Sequence, residues 1–193
     1  MTFAEGARLV LVRLVLVRHA MPVIDPETPA ELWHLGPEGR AAARAMAPLI
    51  VGSAAHFVSS SEPKALETLR EIAPHAPIET DDRFAEVRRP RAWTDGDTYR
   101  AAARAYIEAG PPADGWEPRD EVIARFDAAV ARHAAAAAAS GATLVIGTHG
   151  LVLTRWLASR VELRPSPADF WASLRFPDMI ELDPRRTSVR RLC

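Results

Sequence analysis

The stretch Leu14-Val15-Leu16-Val17-Arg18-His19-Ala20 is an aliphatic run that ends at two basic side chains. Four uninterrupted aliphatic residues predict a strand covered on both faces, as is typical of a parallel sheet. Ligands of such sheets bind beyond the carboxyl ends of the strands, which is where Arg18 and His19 would lie. The stretch therefore predicts a buried strand that carries both side chains to the rim of a binding site.

A second stretch, Thr143-Leu144-Val145-Ile146-Gly147-Thr148-His149-Gly150, repeats this pattern far downstream. It predicts a second buried strand that ends at His149, followed by a helix that begins at Gly150. The free N–H groups at the start of that helix would lie beside His149. We therefore expect His19 and His149 to lie at the same rim.

The elements between and after these strands alternate between helix and strand, which predicts a layered α/β/α sandwich with a mainly parallel central sheet. Helices are predicted for 37–50, from 63 onward, for 98–109, for 117–139 and from 150 onward, and short strands for 56–58 and 77–80. In the C-terminal part, 170–176, 179–182 and 188–192 are predicted as strands, with Asp178 turning the first two into an antiparallel hairpin.

Length and composition limit the class of protein. With 193 residues, 48% of them hydrophobic, the chain suits one domain over 1–193. The formal net charge of -1 gives no general attraction to nucleic acid or to an acidic membrane. The single cysteine, Cys193, excludes an internal disulfide, and no run reaches the ~18 apolar residues that span a bilayer. A cytoplasmic protein without nucleic-acid or membrane partners is expected, and its oligomeric state stays open.

Lys64 falls in the first turn of the helix that Ser61-Glu62-Pro63 begins. The helix dipole disfavours a cation in that position, which indicates that an anion occupies the same space. The alternative is a solvated surface lysine.

Arg18, His19, Lys64 and His149 together suit a dianion such as phosphate, because guanidinium and ammonium groups and helix N–H groups all stabilise negative oxygens. Burial and flanking cations would keep His19 neutral, so that it could attack phosphorus and form a phosphohistidine. A leaving alkoxide needs a proton, and Glu86, framed by arginines in the polar segment 81–96, is the candidate general acid and base.

A metal hydrolase is the alternative chemistry for histidines and acids. His19 and His149 each lack a nearby HxH, HxxxH or HxD partner, and Ala20 and Gly150 follow them instead. No metal ion and no cofactor are therefore predicted for this site.

Several motifs resemble those of the histidine phosphatase superfamily, the phosphoglycerate mutase-like proteins. The match runs in the family's order from Leu14 to about Leu157 and is carried by Val17-Arg18-His19-Ala20, Leu35-Gly36-Pro37-Glu38-Gly39-Arg40, Ser60-Ser61-Glu62-Pro63-Lys64-Ala65-Leu66-Glu67-Thr68, Arg83-Phe84-Ala85-Glu86 and Gly147-Thr148-His149-Gly150-Leu151-Val152-Leu153.

The resemblance implies a phosphoglycerate mutase-like fold with His19 as the phosphorylated nucleophile, Glu86 as the proton donor, and Arg18 and His149 as phosphate ligands. Lys64 stands where the family usually has a second arginine. Because lysine gives a point charge without a bidentate fork, this departure is expected to affect the turnover rate more than phosphate binding.

Hydrolysis is favoured over phosphoglycerate mutase-type transfer, because mutases of this family tend to carry longer segments that seal the pocket. Here only 88–116 could form a small lid, in which Trp93 and Trp116 would line the pocket or anchor the lid. The expected substrate is a small phosphorylated molecule or a phosphoprotein. A regulatory protein that binds a phosphorylated ligand with weakened catalysis is the other alternative, and Lys64 motivates it.

Overall fold

The computed structural model describes residues 12–50, 54–90, 94–108, 115–182 and 188–192. Six strands in these residues form one sheet: β1 (Leu14–Arg18), β2 (Ala55–Ser59), β3 (Ile78–Thr80), β4 (Thr143–Thr148), β5 (Asp178–Leu182) and β6 (Val189–Arg191). The strand order is β3-β2-β4-β1-β5-β6. The two strands that carry the histidine motifs, β1 and β4, are therefore neighbours in the middle of the sheet.

The first four strands in chain order run parallel, and the last two are antiparallel additions. β1 pairs with β4, and β2 pairs with β4 and β3, all in parallel. β5 pairs antiparallel with both β1 and β6. The register places Arg18 opposite Thr148, so the residues that follow each strand emerge at the same edge. The prediction of a mixed α/β fold with a mainly parallel sheet is confirmed.

Within the described ranges, six α-helices cover the two faces of the sheet: α1 (Pro37–Ala45), α2 (Pro63–Ile72), α3 (Gly96–Glu108), α4 (Arg119–Ala139), α5 (Gly150–Ala158) and α6 (Pro167–Ser173). Helices α1 and α2 pack on one face, around Val17 and Leu69. The other four pack on the opposite face, around Leu16, Phe84 and Phe126. Because successive strand residues point to opposite faces, β1 contributes to both layers of the core.

The sequence predictions for helix α1 are right at its start and wrong at its end. Proline at the first position favours the start, and Gly39 packs so closely that a Cβ there would lie 2.3 Å from the carbonyl oxygen of Met21. The helix ends at Ala45 rather than at Ile50, because the chain tightens into a 3-10 turn at Ala47–Leu49.

The strand predicted for 170–176 is wrong, since this segment contains α6. Ser166 caps the helix by accepting a hydrogen bond from the Asp169 N–H, and Pro167 takes its first position. Phe170 and Trp171 are buried core residues of this short helix. Asp178 begins β5, whose antiparallel partner along the chain is β6, so the predicted hairpin is also wrong.

Some sequence predictions lie outside the described residues. These are the prediction for Trp93 in the lid segment and that for the single cysteine, Cys193. Among the described helices, none combines the length and the apolar character that crossing a bilayer requires.

Candidate active site

His19 directly follows β1 and is buried at the carboxyl edge of the sheet. Its backbone N–H donates to the Thr148 carbonyl at 3.0 Å, which continues the pairing of β1 with β4. The ring Nδ1 lies 2.8 Å from the carbonyl oxygen of Ala20. Because a carbonyl oxygen only accepts, Nδ1 carries the proton of the neutral ring, and the lone pair lies on Nε2.

His149 follows β4 and stands at the N-cap position of α5. Its ring centroid lies 5.1 Å from that of His19, so the two imidazoles that the sequence predicts at one rim are in contact. Nε2 of His149 is 2.9 Å from Ser60 Oγ. Its buried Nδ1 has no hydrogen-bond partner among the described residues.

Both imidazoles are neutral at pH 7. Burial lowers the pKa of His19 well below 6.5, and the charges of Lys64 and Arg18 act in the same direction. Burial likewise lowers the pKa of His149, assisted by Lys64 and nearby arginines. The sequence-based expectation of an uncharged His19 beside cations agrees with this environment.

Arg18 is buried beside the two histidines. Its Nη1 donates to the Leu174 carbonyl at 2.8 Å, and its guanidinium carbon lies 3.5 Å from the ring centroid of Phe176. Burial lowers the pKa of Arg18 to about 10, so the side chain is charged at pH 7. Its Nε has no hydrogen-bond partner among the described residues. A Cβ at Gly150 would lie 3.1 Å from this Nε, so glycine lets α5 begin next to the guanidinium.

Lys64 is buried with 6% exposure, so the alternative of a solvated surface lysine is wrong. Its Nζ donates to the Ala30 carbonyl at 2.7 Å and to Glu62 Oε2 at 2.5 Å. The anion beside Lys64, which its position in the helix predicts, is therefore the carboxylate of Glu62.

Glu62 is a site residue that the sequence reasoning missed. Besides pairing with Lys64, it lies 3.4 Å from His149 Nε2 through Oε1. The same oxygen accepts a hydrogen bond from the Glu86 N–H at 2.8 Å. The sequence does place Glu62 two positions before Lys64. From the sequence alone, Glu62 is interpreted only as a residue that favours the start of a helix.

Glu86 lies at the start of α5. Its carboxylate accepts hydrogen bonds from the backbone N–H groups of Leu151 at 3.1 Å and Val152 at 2.9 Å. Two of the arginines expected to frame it bind other acids: Arg83 pairs with Asp81, and Arg88 pairs with Glu117. Arg89 stays near the site, since its charge acts on His149. The helix N-terminus and the nearby charge of Arg18 contribute to the positive environment of Glu86.

Arg125 of α4 holds the segment that carries Glu86, and the sequence reasoning missed it too. Its guanidinium donates to three backbone carbonyls of that segment, those of Arg83, Ala85 and Glu86. It also pairs with the fully buried carboxylate of Glu117 at 2.8 Å. No local motif marks this arginine, because its partners lie about forty positions earlier in the chain.

Tyr99 of α3 brings the predicted lid segment next to the site. Burial raises the pKa of Tyr99 to about 12, and the charges of Arg89, Glu86 and Arg18 also act on its hydroxyl. The guanidinium carbon of Arg89 lies 4.9 Å from the centroid of its ring. Trp116 stacks on Tyr106 at 5.0 Å, which fits the alternative that it anchors this segment.

The chain resembles solved structures of the same architecture along most of its length. A mycobacterial glucosyl-3-phosphoglycerate phosphatase matches with a TM-score of 0.69 and 22% identity, covering 93% of this chain and 96% of the other. The same enzyme with inorganic phosphate matches with a TM-score of 0.69 and 21% identity, covering 93% and 95%. Phosphoglycerate mutase from Bacillus anthracis matches with a TM-score of 0.67 and 16% identity, covering 95% of each chain. At these identities the likeness shows the fold.

The family follows from the sequence itself. No curated protein matches the chain. The family profile of the histidine phosphatase superfamily (branch 1) matches residues 14–176, a span that contains both histidine motifs and both buried strands before them. The chain is a member of the histidine phosphatase superfamily.

Proposed function

We propose that the protein is a phosphomonoester hydrolase that forms a phosphohistidine on His19. The observation that supports this most is the state of His19, which is neutral and donates from Nδ1 to the Ala20 carbonyl. The lone pair on Nε2 is then available for attack. Arg18, with a buried and unpartnered Nε, lies close enough for its charge to act on that ring.

The proposed reaction has two steps. His19 Nε2 attacks the phosphorus, the bond from phosphorus to the ester oxygen breaks, and protonated Glu86 gives its proton to the leaving alkoxide. Water then attacks the phosphorus, the N–P bond breaks, and Glu86 takes the proton from water as phosphate leaves. Since side chains and water suffice for these steps, we propose that hydrolysis requires no metal ion.

Arg18, His149 and Lys64 are proposed to hold the phosphate. Burial favours them for this role, because a charge or a hydrogen bond acts more strongly on an anion in a dry pocket than in water. Lys64 can contribute fully only when its pair with Glu62 opens, since Glu62 neutralises it in the described arrangement.

We propose a small phosphorylated substrate or a phosphoprotein. The mycobacterial enzyme of the same fold is a glucosyl-3-phosphoglycerate phosphatase, and the Bacillus anthracis protein is a phosphoglycerate mutase. Phosphorylated glycerate derivatives are therefore the first compounds to assay, and phosphoryl transfer to an added alcohol is the readout for mutase-type chemistry. The cytoplasmic location stays a prediction.

Trapping of the phosphoenzyme tests the mechanism. Incubation with a ³²P-labelled phosphomonoester and acid-free quenching should give an acid-labile label on the wild-type chain and none on His19→Ala. His75→Ala, which removes an exposed imidazole elsewhere, is the matched control and should label normally. Label on any other residue would refute the assignment of His19.

Glu86→Gln and Glu62→Gln together test which carboxylate moves the proton. We expect Glu86→Gln to reduce kcat by at least about a hundredfold, as removal of a general acid does. Glu62→Gln should leave kcat within a few-fold of wild type or raise it. The opposite ranking would assign the proton transfer to Glu62.

A regulatory protein that binds a phosphorylated ligand is the second candidate, and the Glu62–Lys64 ion pair favours it. A pocket whose second cation is neutralised could bind a phosphate without turning it over efficiently. Calorimetric binding of inorganic phosphate by a chain that releases no phosphate from any ester would support this candidate over the hydrolase.

A further inference from the structure

Three metal-ligating side chains converge outside the phosphate pocket. They are His56 on β2, Glu79 on β3 and His133 on α4, and one ligand atom from each lies within 4.8 Å of the others. His56 Nε2 is 3.4 Å from His133 Nδ1 and 3.6 Å from Glu79 Oε1. No step of the proposed reaction uses them.

The pleat of the sheet directs these groups to one side. Val58 packs in the core layer that contains α4, and His56, two residues earlier on β2, therefore points to the same face. Ile78 packs on the opposite layer, so the next residue, Glu79, also points towards α4. His133 is buried on the helix that covers this face.

The spacing suits a tetrahedral ion. Zinc binds imidazole nitrogens at about 2.0–2.1 Å, which places two ligand atoms of a tetrahedron ~3.4 Å apart. The distance between the His56 and His133 nitrogens is 3.4 Å, and the distance from His56 to the Glu79 oxygen is 3.6 Å. Two histidines and one glutamate are also a ligand set that zinc takes in proteins, with water in the fourth position.

An outer carboxylate orients one of the ligands. His133 Nε2 lies 3.0 Å from Asp81 Oδ2, and because a carboxylate accepts, Nε2 carries the proton and Nδ1 presents its lone pair to His56. Asp81 is itself held by two hydrogen bonds from the Arg83 guanidinium. Such a carboxylate behind a histidine is the usual support of a metal ligand.

We propose that His56, Glu79 and His133 bind one Zn²⁺ ion, with water completing the coordination. The ion can enter from the side of Glu79, whose side chain is 55% exposed, whereas those of His56 and His133 are 20% and 3% exposed. The site lies about 10 Å along β2 from Ser59, at the far end from the phosphate pocket. It would join the three-residue edge strand β3 to α4 and so act on stability rather than on the reaction.

The test is zinc titration of the full-length chain, freed of affinity tag and metal, by isothermal titration calorimetry. We expect one Zn²⁺ per chain, with affinity at least tenfold weaker in His56→Ala and in Glu79→Gln. Asp81→Asn should weaken binding by about 10–100-fold, as outer carboxylates do. His75→Ala, an exposed histidine outside the cluster, is the control and should bind like wild type.

A second measurement separates loss of the ligand from loss of the fold. Zn²⁺ should raise the Tm of the wild-type chain and not that of His56→Ala or Glu79→Gln, with circular dichroism confirming that both variants are folded. Co²⁺ bound to the wild type should show the intense visible absorption of a tetrahedral ion. Absence of stoichiometric binding in wild type, or binding of wild-type strength in both variants, would overturn the proposal.

Discussion

At the scale of single residues, the pocket is built from side chains at the ends of two parallel strands and from the groups that contact them. Arg18, His19 and His149 each follow an aliphatic run, and the parallel register brings them to one edge. Glu62 carries no such pattern, because its importance comes largely from contacts with the Glu86 N–H and with His149, which lie on other segments. Tertiary contacts of this kind depend on how helices and loops pack, which a local pattern does not report.

Glu62→Gln should strengthen the binding of inorganic phosphate. Removing the negative charge frees Lys64 and removes repulsion from the incoming dianion, so we expect Kd to fall by about tenfold, which is ~1.4 kcal/mol. Calorimetry with phosphate checks this. Glu67→Gln, a change of another acid on the same helix, is the control, and an unchanged or higher Kd in Glu62→Gln would contradict the expectation.

At the scale of elements, helix-start and strand patterns predicted the elements correctly where the packing of the core agreed with them. Pro63 and Pro37 begin α2 and α1 as predicted, and β1 and β4 are buried throughout. The strand prediction for 170–176 was wrong, because buried aromatic residues are common to core strands and core helices. The Ser-Pro start of α6 was the better signal, since capping is specific to helices. A lid role for 88–116 stays a prediction.

Ser166→Ala should destabilise the fold through α6. The Ser166 hydroxyl accepts a hydrogen bond from the Asp169 N–H, and losing such a cap costs about 1 kcal/mol. Urea unfolding checks this value. Ser140→Ala, at the C-terminal end of α4, changes a serine that caps no helix N-terminus and should shift stability less. Equal effects would contradict a capping role.

Arg125→Met should destabilise the fold by about 3 kcal/mol, because it leaves the fully buried Glu117 carboxylate without its main partner. The same change frees the carbonyls of the Glu86 segment, so we expect kcat to fall more than KM changes. Arg132→Met, an exposed arginine on the same helix, should do neither. A stable Arg125→Met variant with wild-type kcat would show that α4 does not position Glu86.

At the scale of the whole molecule, the two buried neutral histidines of the site, His19 and His149, couple folding to pH. Their pKa values lie well below 6.5 in the folded chain and return to 6.5 on unfolding, so below that pH the unfolded chain binds more protons. The free energy of unfolding should therefore fall as pH decreases below 6.5, with a slope of up to about 1.4 kcal/mol per pH unit for each histidine.

Urea unfolding at pH 7.5, 6.5 and 5.5 measures this slope. His19→Ala should show a smaller loss of stability between pH 6.5 and 5.5 than wild type, whatever its stability at pH 7.5. His75→Ala keeps both buried imidazoles and should retain the full slope. A free energy of unfolding of the wild-type chain that stays constant over this range would contradict the predicted coupling of His19 and His149 to folding.

The register of β1 against β4 has a consequence for how the protein acquires its site. The two strands are far apart in the sequence, and their pairing is parallel, so the contact between His19 and His149 closes a very long loop. Non-local parallel pairing of this kind forms late during folding. On refolding, phosphate binding should therefore return after helical structure has formed, and a chain still emerging from the ribosome cannot assemble the pocket until β4 is free to pair.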